Sequence, residues 1–413
     1  MDRFRWRGAR WVMVVALVAT APGMAGCGSS KSATVSPAAV ATTAAADVHA
    51  VAAGDGVGTS TSPDGSSEST GRTRDYFIAA DEVQWDYAPS GRNLITGGPF
   101  TPDEDVFVEP APDRIGRVYK KSVYHEYTDD SFTKLKERPA DEAYLGDLGP
   151  TLHAEVGDSI VVLFKNNTGR PVSMHPHGVF YDKDSEGAPY EDGTSGADRA
   201  DDAVPPGGTH RYVWNVPERA GPGPMDPSSV MWMYHSHADE VGDVYAGLVG
   251  TIIVTKRGMA RTDGTPIDVD RELIVNFEVD DENKSVWAEE NAAGLEHEAG
   301  HSPFDDDEFI ESNLMHSMNG FVYGNLPGLT MQVGQHVRWY LMSMGTEVDL
   351  HTPHWHGNTV VANGMRADVV GLLPAQMIVA DMVPDDPGTW LFHCHVNDHL
   401  VAGMAATYTV SAA

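Results

Sequence analysis

Cysteine is nearly missing: the 413 residues hold two, Cys27 and Cys394. A disulfide framework is therefore excluded once Cys27 has another role, and Cys394 is left free for metal chemistry. Basic residues are also scarce, 28 against 60 acidic ones, for a net charge of −32. That balance excludes nucleic acid as a partner and favours the gathering of cations near the surface. Long helical periodicity is rare, which points to an all-β chain. The apolar run Trp11 to Ala21 is shorter than the ~20 residues of a membrane span, so no retained transmembrane helix is expected.

What stands at the N-terminus is the layout of an export signal. Arg3, Arg5, Arg7 and Arg10 precede that apolar run, and Met24-Ala25-Gly26-Cys27 follows it. The tetrapeptide resembles a bacterial lipobox, so residues 1–27 read as a signal peptide with Cys27 as the acylated residue. The protein is then exported and held at the cell membrane through its lipid alone. Residues 28–72 are Ser, Ala, Thr, Gly and Asp with few large apolar side chains, the composition of a flexible tether.

Short alternating runs begin at Asp75, among them Ser159-Ile160-Val161-Val162-Leu163-Phe164 and Gly250-Thr251-Ile252-Ile253-Val254. They predict Greek-key β-sandwich architecture. The pattern repeats. Leu152 to Asp158 corresponds to Leu329 to Gln335, His175-Pro176-His177-Gly178 to His354-Trp355-His356-Gly357, and His235-Ser236-His237 to His393-Cys394-His395. Two domains follow, 73–257 and 268–413, with the boundary in the segment Lys256 to Asp270.

The densest chemistry lies between Trp390 and Met404. On a strand, Cys394 points to one face and His393 and His395 to the other. A thiolate, the imidazole of His399 and the thioether of Met404 match the ligand set of a blue-copper electron-transfer centre. Domain one has Ser236 at the thiolate position, with Val241 and Ala246 at the offsets of His399 and Met404, and it lacks a counterpart of His351. One blue centre per chain is expected. Four clusters take ten of the eighteen histidines; with His351 and His399 assigned to that centre, eight remain, enough for a three-copper cluster.

Several strings carry a family resemblance: Pro112 to Lys121, Arg199-Ala200-Asp201-Asp202, Phe309 to Asn313, Met315-His316, Leu350-His351-Thr352, and Gly388 through Met404. With the histidine pairs they make the chain similar to the multicopper oxidases, and among them to the ceruloplasmin and hephaestin group. The resemblance implies a cupredoxin fold for each domain. It implies type 1 copper at His351, Cys394, His399 and Met404, and type 2 copper at His175 and His354. The type 3 pair would lie at His177, His235, His237, His356, His393 and His395. Ceruloplasmin has six such domains, so two per chain imply a homotrimer with the cluster between neighbouring chains; a monomer with an internal cluster is the competing arrangement. Dioxygen would be the acceptor. Residues matching Glu311, His316 and Asp398 hold iron in ceruloplasmin, which implies a ferroxidase. Those matching the Lys183 carbonyl, Asp198, Asp201 and Asp202 imply calcium. The alternatives are a laccase-like oxidase of phenols or aromatic amines and a cuprous oxidase. Met225, Met231 and Met233 would bear on the cuprous reading but read rather as core. A copper-sequestering or structural protein is the non-enzymatic alternative. A copper nitrite reductase is disfavoured, since it carries its blue copper in the first domain.

Overall fold

The computed structural model describes residues 71–296 and 301–413; the expected signal peptide and nearly all of the expected tether lie outside them. Among the described residues no helix is long and apolar enough to cross a membrane.

Among the described residues, alternating sequence becomes four sheets. In the first half, the order is Val118–Glu126, Thr73–Asp86, Ser159–Asn166, Thr209–Asn215 in one sheet. The other runs Leu152–Glu155, Val249–Thr255, Ser229–His235, His175–Pro176. The second half repeats the latter as Thr330–Gln332, Ala405–Ser411, Gly388–Cys394, Pro353–Trp355, facing a six-stranded sheet. Even the mixed directions agree: in both halves the first pair of that order is parallel and the other two pairs are antiparallel. These are cupredoxin-like Greek-key sandwiches, as the sequence implies.

The two halves share a seam. The strand Val249–Thr255 is buried along its whole length because its two faces meet different partners. Ile252 and Val254 join the core of the first half. Val249 and Ile253, with Met231 and Met233, join Leu273, Phe277 and Tyr340 of the second. Polar contacts lock the same seam. Lys121, fully buried, donates to Tyr87 Oη at 2.7 Å, Glu282 Oε1 at 2.9 Å and Asp280 Oδ1 at 3.2 Å. Breaking such a pair would leave a buried charge without a partner, which is strongly destabilising.

One excursion of the first half reaches over the second. It includes the short helix Asp105–Val108, and its Val108 packs with Met315, Val322 and Tyr323. Phe107 from that helix lies edge-on to His316, with ring centroids 5.9 Å apart.

Candidate metal centres

The histidine pairs meet because of strand register. His175 stands opposite His235 across one antiparallel ladder, and His354 opposite His393 across its counterpart. Residues i and i+2 on a strand share a face, so each ladder gathers four imidazoles. In the first quartet, His177 Nε2 lies 3.1 Å from His235 Nε2; His175 and His237 complete it with ring centroids 5.3 Å apart. In the second, His356 Nε2 lies 3.2 Å from His393 Nε2, with His354 and His395 at 5.3 Å. His354, His356 and His393 offer nitrogens all within 4.8 Å of one another.

Tautomers are set from outside each quartet. His235 Nδ1 donates to the Ser236 carbonyl at 2.9 Å and His393 Nδ1 to the Cys394 carbonyl at 2.7 Å. His175 Nδ1 donates to the Glu186 carbonyl at 2.7 Å. In each case Nε2 keeps its lone pair for a ligand. Burial lowers His177 to about 4 and His235 to about 3, and lowers His175, His354 and His393 as well. The rings are therefore neutral at neutral pH, the state that binds metal. Among the described residues, the histidine–histidine ring contacts of each quartet stay within that quartet, and His175 also meets Tyr181 at 5.9 Å. Both reach the surface, the second through a cleft lined by His354, His356, Asp368 and Trp390.

On the opposite face of the strand, Cys394 Sγ lies 3.8 Å from His351 Nδ1 and 3.7 Å from His399 Nδ1. Bonds of about 2.3 Å to sulfur and about 2.0 Å to nitrogen at trigonal angles would set sulfur and nitrogen about 3.7 Å apart. The trio fits one metal ion. All three residues are buried, as is Met404, whose carbonyl accepts from Cys394 N at 3.1 Å. Burial raises the thiol, but hydrogen bonds from His351, His399 and the backbone overcome it and bring Cys394 to about 6. A thiolate is thus available at neutral pH.

The first half shows what replaces this trio, and here the offset count needs correction. Ser236 N donates to the Leu248 carbonyl as Cys394 N does to Met404, and Leu248 N donates to Asp243 as Met404 N does to His399. Asp243 and Leu248, not Val241 and Ala246, occupy the places of His399 and Met404, because the first loop is two residues longer. The matching pairs Ala246-Gly247 and Ala402-Gly403 carried that signal. Ser236 Oγ donates to Asp243 Oδ2 at 2.6 Å, so a hydroxyl and a carboxylate fill the place of a metal site.

Asp243 carries a stability prediction. Burial pushes its carboxyl from 3.8 up to about 6. A raised carboxyl contributes its stability below the unfolded value and loses it as pH climbs through the folded value. Asp243→Asn keeps an acceptor for Ser236 and removes that loss. Urea unfolding of the metal-free variant should show a gain over wild type of about 3 kcal/mol between about pH 4 and about pH 7. A difference constant with pH would contradict this assignment.

The expected donor residues come together at the rim of the thiol trio. The His316 ring lies 5.3 Å from that of His399, with Nδ1 donating to the Leu314 carbonyl at 2.9 Å. Burial first, then His399, lowers His316 to about 4, so its imidazole is neutral. Glu311 reaches solvent from the short helix Asp307–Ser312; partial burial and then Asp398 raise its carboxyl. Asp398 is exposed in the helix Asn397–Val401 that delivers His399.

The calcium candidates are less uniform. Asp201 is fully buried; its Oδ2 accepts from Gly187 N at 2.7 Å and its Oδ1 has no partner. Asp202 lies 3.7 Å from Arg199, and Asp198 is exposed. The Lys183 side chain turns to Glu186 and Asp192. Of the three methionines, Met231 and Met233 are core, whereas Met225 is 85% exposed.

Comparison with known proteins follows the same lines. Family models described as multicopper oxidase match residues 146–259 and 302–413. Human hephaestin is 46% identical over 346 residues, covering 82% of this chain and 29% of its own. A mouse protein named ferroxidase HEPHL1 is 46% identical over 341 residues, with the same coverages. Rat ceruloplasmin is 44% identical over 342 residues, 82% of this chain and 32% of its own. The chain thus spans about three-tenths of the length of these relatives. A solved structure titled multicopper oxidase superposes with a TM-score of 0.51 at 19% identity, covering 85% of this chain and 92% of the other. A copper nitrite reductase from Nitrosomonas europaea gives 0.51 at 15%, covering 82% and 94%. These two likenesses speak to the fold.

Proposed function

Since this chain belongs to the multicopper oxidase family, we propose that it is a ferroxidase that passes electrons from ferrous ion to dioxygen. The observation that carries the reading is His316 beside His399, with Glu311 and Asp398 at the same rim. Carboxylates with one neutral imidazole suit a ferrous ion. A relative named ferroxidase at 46% identity supports it.

When bound, copper supplies one-electron acceptance at the thiolate centre and four-electron reduction of dioxygen to water at the histidine centre. The protein's part is to hold geometry and to conduct. His351, Cys394 and His399, with Met404, would hold the type 1 copper. His175 and His354 take type 2, and His177, His235, His237, His356, His393 and His395 take type 3. His399 would link the rim to the metal site, and Cys394 would link that site to His393 and His395, its neighbours in the chain. The hydrogen bond from His393 Nδ1 to the Cys394 carbonyl adds a second path of 2.7 Å.

Each chain carries two half-centres, and the division into domains 73–257 and 268–413 assigns one to each. A homotrimer closes them: the first quartet of one chain faces the second quartet of the next. What supports this is that the quartets open at the surface and make no ring contact with each other. Calcium at Asp201 and its neighbours rests on the unpartnered, buried Asp201 Oδ1. Export with a lipid on Cys27 rests on the N-terminal sequence alone.

Oxygen consumption tests the substrate. With ferrous ion, cuprous ion and a phenol as donors, ferrous turnover should be fastest. Asp398→Ala should lower ferrous kcat/KM about tenfold or more, the scale on which metal-site partners act, and leave phenol turnover unchanged. Phenol turnover equal to ferrous turnover, with both indifferent to the substitution, would assign the chain to the laccase-like oxidases.

A further inference from the structure

The two imidazoles beside Cys394 differ at their outer edges. The His399 ring packs against His316 at the donor rim. His351 turns inward, and its Nε2 lies 3.2 Å from Asp349 Oδ1, both side chains fully buried. Two backbone donors from different segments fix that carboxylate: Val279 N to Oδ1 at 2.7 Å and Thr346 N to Oδ2 at 2.7 Å. Gly345, with φ of +99°, makes room for it, since a Cβ there would collide with Asp349 Oδ2. The imidazole is held on its other sides as well. Phe277 lies against it at 5.9 Å, and His351 N donates to the Leu372 carbonyl at 2.8 Å.

So rigid a carboxylate on the far nitrogen of a ligand has two consequences. With a metal held at the trio, it would keep the proton on Nε2 and turn the Nδ1 lone pair to the metal, in place of the hydrogen bond to Cys394. It also sets a carboxylate, fixed by two backbone N–H groups and the imidazole, in a buried environment, where charges act strongly over short distances. The oxidised metal carries one more positive charge than the reduced metal, so the carboxylate favours the oxidised form.

We infer that Asp349 is a positioning residue that, through His351, orients the type 1 ligand set and lowers its reduction potential. The two histidines then divide the work: His351 sets the potential and His399 admits the electron. A lowered potential favours onward transfer to the oxygen-reducing centre and restricts the donor to strong one-electron reductants, ferrous ion before phenols. The inference rests on the reading of the trio as a copper site. The neighbouring acid Glu278, buried and raised well above its ordinary value first by burial and then by Asp280 and Asp349, serves as a control.

The test is a redox titration of the copper-loaded protein, followed by its visible thiolate absorption, in wild type, Asp349→Asn, Asp349→Glu and Glu278→Gln. Asp349→Asn should keep the band, raise the midpoint potential, and raise phenol turnover relative to ferrous turnover. Asp349→Glu should lie near wild type, and Glu278→Gln should match it. A wild-type potential in Asp349→Asn with its band intact overturns the inference, as does an equal shift in Glu278→Gln. If Asp349→Asn takes up no copper, a blue Asp349→Glu near the wild-type potential supports the role of the charge, and a colourless one overturns it. A colourless wild type would instead refute the copper reading itself.

Discussion

Cys394→Ser is expected to fold, to take up copper at the histidine quartets, and to be colourless and inactive. The chain supplies its own precedent for folding. In the first half, Ser236 sits at the same register, and Ser173 N donates to its hydroxyl at 3.0 Å as Thr352 N donates to Cys394 Sγ at 3.3 Å. A serine hydroxyl at position 394 would keep Thr352 N as a donor, so the metal-free protein should lose no more than about 1 kcal/mol. Function is another matter. The hydroxyl does not ionise near neutral pH and is a hard donor, so the soft thiolate that defines the type 1 centre is gone. Groups that act as one unit are lost together, so turnover should fall about a thousandfold or more. Visible absorption, electron paramagnetic resonance and oxygen uptake check this together. A retained blue band, or donor turnover near wild type, would place the electron entry elsewhere.

Much of the fold was legible because the repeat is written twice. Alternation located the strands around Ser159 and Gly250, and the doubled histidine pairs aligned the halves. Less legible was a strand with two apolar faces. Ile252 and Ile253 look alike in sequence, yet one belongs to the core of the first half and the other to the shared seam. Lys120 and Lys121 are likewise indistinguishable in sequence. The pleat of Val118–Glu126 sends the second inward to Asp280 and Glu282, a pairing some 160 residues distant that periodicity cannot reveal.

The candidate site divides the same way. Ligand types and spacings were readable, because a thiolate and imidazoles at fixed offsets on a strand have few other uses. Positions set by loop length were not: two added residues between Ser236 and Leu248 moved the counterpart of His399 from Val241 to Asp243. Asp349, only two residues before His351, would have been visible as a nearby acid. Its contact depends on the bend at Gly345 and on Val279 from another strand. Phe107 over His316 was beyond sequence reasoning, since it comes from the opposite half of the chain.

The central claim is that the oxygen-reducing centre is assembled from two chains. His177→Ala disables the first quartet and His356→Ala the second, through rings whose partners stand 3.1 Å and 3.2 Å away. Each variant alone should fall to background, because every centre in it would lack one of the histidines proposed for type 3. Mixed assemblies differ. In a ring of mixed subunits, a junction is intact when His356→Ala supplies the first quartet and His177→Ala the second. In an equal mixture that occurs at about one junction in four. The intact second quartet then lies in a chain with its own Cys394, so electron delivery is preserved. The decisive measurement is oxygen consumption with ferrous ion after the two inactive variants are co-assembled in equal amounts. Recovery of about a quarter of wild-type activity is the predicted result. A mixture as inactive as its components would place both quartets in one chain and contradict the account.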